Sequence, residues 1–143
     1  MRFPARLAAI TLALALSALS QTGYTPQFKG DPAHSSAEAA ALGYMRTAIT
    51  AQKLYNRKHG NYATTLQALV ASGSFTRRMT NADRGDYTVQ FRSTGKEYSL
   101  AMTPKQFDPA HRAFFADESG VIRVEDDKPA TASSPKLKAD TGK

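Results

Sequence analysis

Three histidines are the first candidates for chemistry in this sequence, and their spacing argues against it. His34, His59 and His111 lie far apart, and none has a second His or a Cys at the short intervals a metal site uses. His59 suits a helix-end cation, and His34 and His111 suit exposed loops. Serine is plentiful, yet no Gly-x-Ser-x-Gly elbow occurs, and no glycine-rich loop is present to cradle a phosphate. The acidic clusters are Asp117-Glu118 and Glu125-Asp126-Asp127. Neither has the spaced acids of a calcium loop, and Asp117 is placed to cap its own turn. The expectation is a protein that is not an enzyme, with no catalytic, cofactor or metal residues. What remains is a set of cations among aromatics: Arg77, Arg78, Arg84, Arg92 and Lys96, near Tyr87 and Tyr98. Gathered on one sheet edge they would bind an anion or a partner, and such patches hold single-stranded nucleic acid through phosphate contacts and stacking. The aromatics, however, occupy alternating positions where a core would put them, which makes nucleic acid the lesser reading.

One long helix and a small sheet must position these residues. Ser35 with Glu38 three residues later is the reciprocal N-terminal cap. Ala37, Ala41, Tyr44, Ala48, Ala51 and Tyr55, flanked by Met45, Ile49 and Leu54, recur at helical spacing as one apolar stripe. Arg57, Lys58 and His59 complement the negative end of the helix dipole, and Gly60 offers the left-handed residue that ends helices. A helix over about residues 36–58 follows. Thr64 with Gln67 repeats the cap spacing before a short turn carrying Leu66, Leu69 and Val70, with Phe75 beneath it. Residues 77–85 are polar and suit an exposed connection. The period then changes to two: Tyr87, Val89 and Phe91 on one strand, and Tyr98, Leu100 and Met102 on its hairpin partner. Residues 112–116 and 121–124 flank Asp117-Glu118-Ser119-Gly120, the signature of a type I turn. Four antiparallel strands are expected, in an α+β domain over residues 35–125.

The flanks read differently. Arg2 and Arg6, the apolar run 7–19 and Ala18-Leu19-Ser20 form the three parts of a secretory signal peptide over residues 1–20. Residues 21–34, with two Pro and two Gly, suggest an extended spacer, and residues 126–143 a disordered tail. The chain has no cysteine, so neither a disulfide nor a lipidated cysteine is available and stability must come from a packed core. The 19 Lys and Arg against 12 Asp and Glu give a formal charge of +7. Loss of Arg2 and Arg6 with the leader brings this to about +5, a balance that favours anionic partners.

The order of these parts resembles the soluble domain of type IV pilins and type II secretion pseudopilins. The match is carried by Ala51-Gln52-Lys53-Leu54-Tyr55, then His59-Gly60-Asn61-Tyr62, then Leu66-Gln67-Ala68-Leu69, similar to a helix end leading into Gly-x-Tyr-Pro and a Leu-x-x-Leu turn. Ala63 stands where that proline is usual. The closing stretch from Phe114 to Arg123 is similar to the ending of pilin-like proteins. The resemblance implies a long N-terminal helix packed on a four-stranded antiparallel sheet, with Tyr55, Gly60, Tyr62, Leu66, Leu69, Phe115, Gly120 and Ile122 as the residues that define the fold. It also implies an exported bacterial protein, periplasmic or extracellular, whose partners are other envelope or secretion-system proteins. One departure stands out: the prepilin processing motif and the uninterrupted hydrophobic helix after it are missing. A subunit without that shaft is not expected to assemble as an ordinary pilin. The alternative reading is a basic module that binds DNA or anionic envelope polymers.

Overall fold

The computed structural model describes residues 23–141, so the signal peptide expected over residues 1–20 lies outside the described residues. Helix α1 spans Ser36–His59, which at 1.5 Å per residue is about 36 Å long. Ser35 is its N-cap, with Oγ accepting the Glu38 N–H at 3.1 Å. The reciprocal half of the cap is displaced by one residue, because the Glu38 carboxylate takes the N–H of His34. At the other end Gly60 adopts φ +76° and donates its N–H to Asn56 O at 2.7 Å. A side chain there would meet no neighbour, so it is the left-handed backbone that favours glycine.

The buried face of α1 is Glu38, Ala41, Leu42, Tyr44, Met45, Ala48, Ile49, Ala51 and Gln52. This corrects the expected stripe at three places. Leu42 and Gln52 are fully buried, whereas Leu54 is 38% exposed. Leu54 lies two residues beyond Gln52, about 200° around the helix, and covers Gly73 instead of the sheet. Gln52 closes the chain reversal after the helix. Its Oε1 accepts the Ala63 N–H at 2.8 Å and its Nε2 donates to Ala63 O at 3.1 Å. A 3-10 turn at Gln67–Leu69 follows; its N-cap is Leu66 with no side-chain cap, so the cap expected from Thr64 does not form, and Thr65 Oγ1 accepts the Ala68 N–H at 3.2 Å. Leu66, Leu69 and Phe75 are buried beside Tyr44 and Ala63 in the core.

A second 3-10 turn, Arg77–Thr80, leads into the sheet. Its strands are β1 Asp83–Arg84, β2 Tyr87–Ser93, β3 Tyr98–Pro104, β4 Ala113–Asp117 and β5 Arg123–Glu125, an antiparallel meander in sequence order. Five strands replace the four expected. The addition is β1, in the stretch expected to be an exposed connection, where Asp83 and Arg84 pair with Thr88 and Tyr87. Two residues are too few to show a period, so only the pairing reveals the strand. Tyr87, Val89, Tyr98, Leu100, Met102, Phe114 and Ala116 are buried, on the face covered by α1. Phe115 belongs to the other face, opposite Ala101 and Arg123 and half-exposed; its neighbour Phe114 is the aromatic that defines the core. The 117–120 turn forms as expected, with Gly120 N–H on Asp117 O at 2.9 Å and Asp117 Oδ1 accepting the Ser119 N–H.

Both flanks dock on the domain. Residues 126–141 do not form a loose tail: Val124 N–H donates to Pro135 O and Leu137 N–H to Ile122 O, both at 2.9 Å. Leu137 packs on the core, and Ala130 and Ser134 are buried. The outer edge of β5 is thereby covered. Asp140 N–H then reaches Gly30 O, joining the tail to the segment before the helix. That segment is pinned by Asp31, whose carboxylate accepts from Tyr24 Oη and from the N–H groups of Gln27 and Ala33. Main-chain pairing and single apolar anchors order these flanks, and neither leaves a periodic pattern in sequence.

Candidate functional site

The strongest polar constellation joins the first turn of α1 to the start of β4. Glu38 and Arg112 form an ion pair at 2.8 Å, with side chains 0% and 11% exposed. Glu38 Oε1 accepts from the Arg112 N–H at 2.9 Å and from its Nε at 3.0 Å. Oε2 accepts from Arg112 Nη2 and from the His34 N–H, both at 2.8 Å. Arg112 Nη2 also donates to Pro32 O at 2.7 Å. Burial pushes the Glu38 carboxyl up, but the Arg112 and His34 donors outweigh it and hold its pKa below the ordinary glutamate value. Four donors occupy this carboxylate, so it is a structural knot with no acceptor position left for a substrate. Local spacing marks Glu38 as a cap alone, because its cation is 74 residues away.

His111, expected to be an exposed loop residue, is held next to that knot. Nδ1 lies 2.8 Å from Asp108 Oδ1 and Nε2 lies 3.0 Å from Asp86 Oδ2. Carboxylates only accept, so both contacts are satisfied together only by the doubly protonated ring. The Asp108 hydrogen bond raises the His111 pKa most; burial opposes it, the Asp86 hydrogen bond adds to the rise, and the result lies above the usual histidine value. His34 is exposed near Pro109 O, and His59 lies against the Tyr55 ring at 4.1 Å. Among the described residues no group of three or more His, Cys, Asp or Glu is placed to hold a metal ion.

The structure divides the basic set in two. Arg77 and Arg78 are exposed on the second 3-10 turn, and Arg84 stacks over the Tyr44 ring at 4.6 Å while donating to Arg78 O. Arg92 is exposed further along β2, opposite Ser99, about 16 Å along the strand from Tyr87, the partner of Arg84, at ~3.3 Å per residue. Lys96 is exposed in the turn after β2. The five cations therefore form no single patch. Tyr87 and Tyr98 are 1% and 4% exposed, and neither ring offers a free face for a base. Burial pushes both phenols well above the usual tyrosine pKa, and Tyr87 Oη donates to Arg112 O. Of the residues expected to define the fold, Leu66 and Leu69 are buried, Tyr55, Tyr62 and Ile122 are half-buried, and Gly120 sits at φ +74°. Tyr62 meets Tyr98 edge-on at 5.0 Å.

One side of the sheet is left open. Val89 N–H donates outward to Ala82 O at 2.8 Å, and antiparallel ladders alternate. The main-chain groups of Phe91 and Ser93 therefore also turn away from β3, past the end of β1. A groove of about 510 Å³ runs along this edge, lined by Thr64–Gln67 on one side and Ala82 and Val89–Arg92 on the other. No family model, no curated protein and no solved structure matches this chain. Among the described residues no helix is long and apolar enough to cross a membrane.

Proposed function

We propose that this chain is an exported, non-enzymatic bacterial protein with a pilin-like domain that acts through protein or surface contacts, as an accessory of a secretion or pilus apparatus. The observation that carries the reading is the combination of one long capped helix across one face of an antiparallel sheet with the outer edge of β2 left unpaired beyond Val89. A sheet edge with free main-chain groups is a surface that another chain can extend. The buried polar groups support the same view: Glu38, Arg112 and Gln52 are committed to holding the domain together. A basic binding module is less well supported, since Arg84 is engaged with Tyr44 and Arg78, and Arg92 and Lys96 lie apart from it.

Gel filtration and pull-down of the exported protein against envelope fractions test the proposal. A specific envelope partner is the expected result, and a strict monomer that retains nothing would argue heavily against it. Binding to DNA or to anionic polymers that weakens steeply with salt would favour the basic module instead.

A further inference from the structure

We propose that the outer edge of β2, at Phe91–Ser93, accepts an extended peptide strand in which acidic and apolar residues alternate. The proposal rests on the contact-module reading above and names where the contact forms and with what chemistry. The window has defined ends. At one end the last bond beside β1 joins Val89 N–H to Ala82 O, the residue just before that strand, and at the other Tyr62 N–H donates to Gly95 O at 2.8 Å. Between them Phe91 and Ser93 present outward main-chain groups, and an added strand gains affinity by pairing with such groups.

The side chains along the window decide the partner. Alternate residues of a strand point to opposite faces. Phe91 lies on the helix side, partly buried against the core, with Leu66 lining the groove beside it. Arg92 points to the other face and is exposed. An incoming strand therefore sets every second side chain against Phe91 and the others against Arg92. No acidic residue lines the groove, and Arg92 is its one ionised group. The first set must be apolar, with β-branched residues the best fit, and the second acidic. A second copy of β2 would bring Arg92 towards its own counterpart, so the like charges disfavour it.

The test uses the whole exported protein, isotope-labelled, and synthetic peptides of alternating Glu and Val. Controls are the same peptide with Lys for Glu and one with a central Pro, which cannot donate to a ladder. The expected result is amide shifts and slowed hydrogen exchange concentrated at Phe91 and Ser93, for the Glu-Val peptide alone. The exposed Arg92→Glu variant should bind roughly fivefold to tenfold more weakly with an unchanged circular dichroism spectrum. Absence of binding at millimolar peptide, equal binding of either control, or shifts centred elsewhere would overturn the proposal. So would a concentration-dependent dimer that protects the same amides. If wild-type and Arg92→Glu proteins retain the same envelope partner while the peptide fails, the edge is refuted and the broader reading stands. If peptide and partner are both missing, both readings fall.

Discussion

Replacing Arg112 by Met tests whether the Glu38–Arg112 pair holds α1 to the sheet. The substitution keeps an unbranched apolar stem beside Phe114, whose ring centroid lies 5.7 Å from the guanidinium carbon. It removes three side-chain donor contacts, two to Glu38 and one to Pro32 O. The two main-chain donors from His34 and residue 112 remain, but the fully buried carboxylate loses its cation. Breaking a buried pair from one side costs about 3–5 kcal/mol, a large share of the roughly 5–15 kcal/mol that holds a domain of this size. A fall in melting temperature of roughly 10–20 °C follows. Urea and thermal unfolding followed by circular dichroism measure it directly. The double variant Glu38→Met/Arg112→Met should recover part of the loss, because no unpaired charge is then buried. The pH dependence supplies a second check. In the wild type the Glu38 pKa is depressed from 4.5, so its contribution is present above that value and is lost as pH falls through the folded pKa. In Arg112→Met the stranded carboxyl becomes neutral in acid, so the gap between the two proteins should narrow as pH falls towards the ordinary carboxyl range. A loss below about 1 kcal/mol, or a double variant as unstable as the sum of the single ones, would refute the reasoning.

Leu69→Ala should destabilise by roughly 2–5 kcal/mol, since Leu69 is 0% exposed within the core; a loss under about 0.5 kcal/mol in urea unfolding would place the turn outside the core. Ala63→Pro should cost about 1–3 kcal/mol because it strands the buried Gln52 Oε1; an unchanged melting temperature would deny that bond its role. His111→Gln should lower the melting temperature most in mild acid. The raised folded pKa means the His111 contribution is fully present below the ordinary value of 6.5 and is lost as pH rises through the folded value. Melting curves from about pH 5 to pH 9 should therefore converge at the alkaline end, and a gap independent of pH would show that His111 acts only by packing.

Much of this architecture follows from local signals. The ends of α1 were legible because Ser35, Glu38, the terminal cations and Gly60 each solve a problem of unpaired backbone groups at a helix end. Strands β2 and β3 were legible because Tyr87, Val89, Tyr98, Leu100 and Met102 alternate with polar residues, the pattern one buried face imposes. Helical spacing alone misplaces Leu54 and misses Leu42 and Gln52, because a broad buried face is set by what packs against it. Only the tertiary structure decided the rest. Glu38 finds Arg112 across 74 residues, His111 finds Asp86 across 25, and the tail finds β5 through main-chain bonds. Those pairings depend on which atoms the fold brings within about 3 Å, a relation no short-range spacing encodes. The candidate site belongs to the same class. The cations named from sequence are real surface charges, but Arg92 gains its setting only because pairing along the outer edge of β2 reaches no further than the Val89–Ala82 bond and leaves Phe91 and Ser93 unpaired beside it.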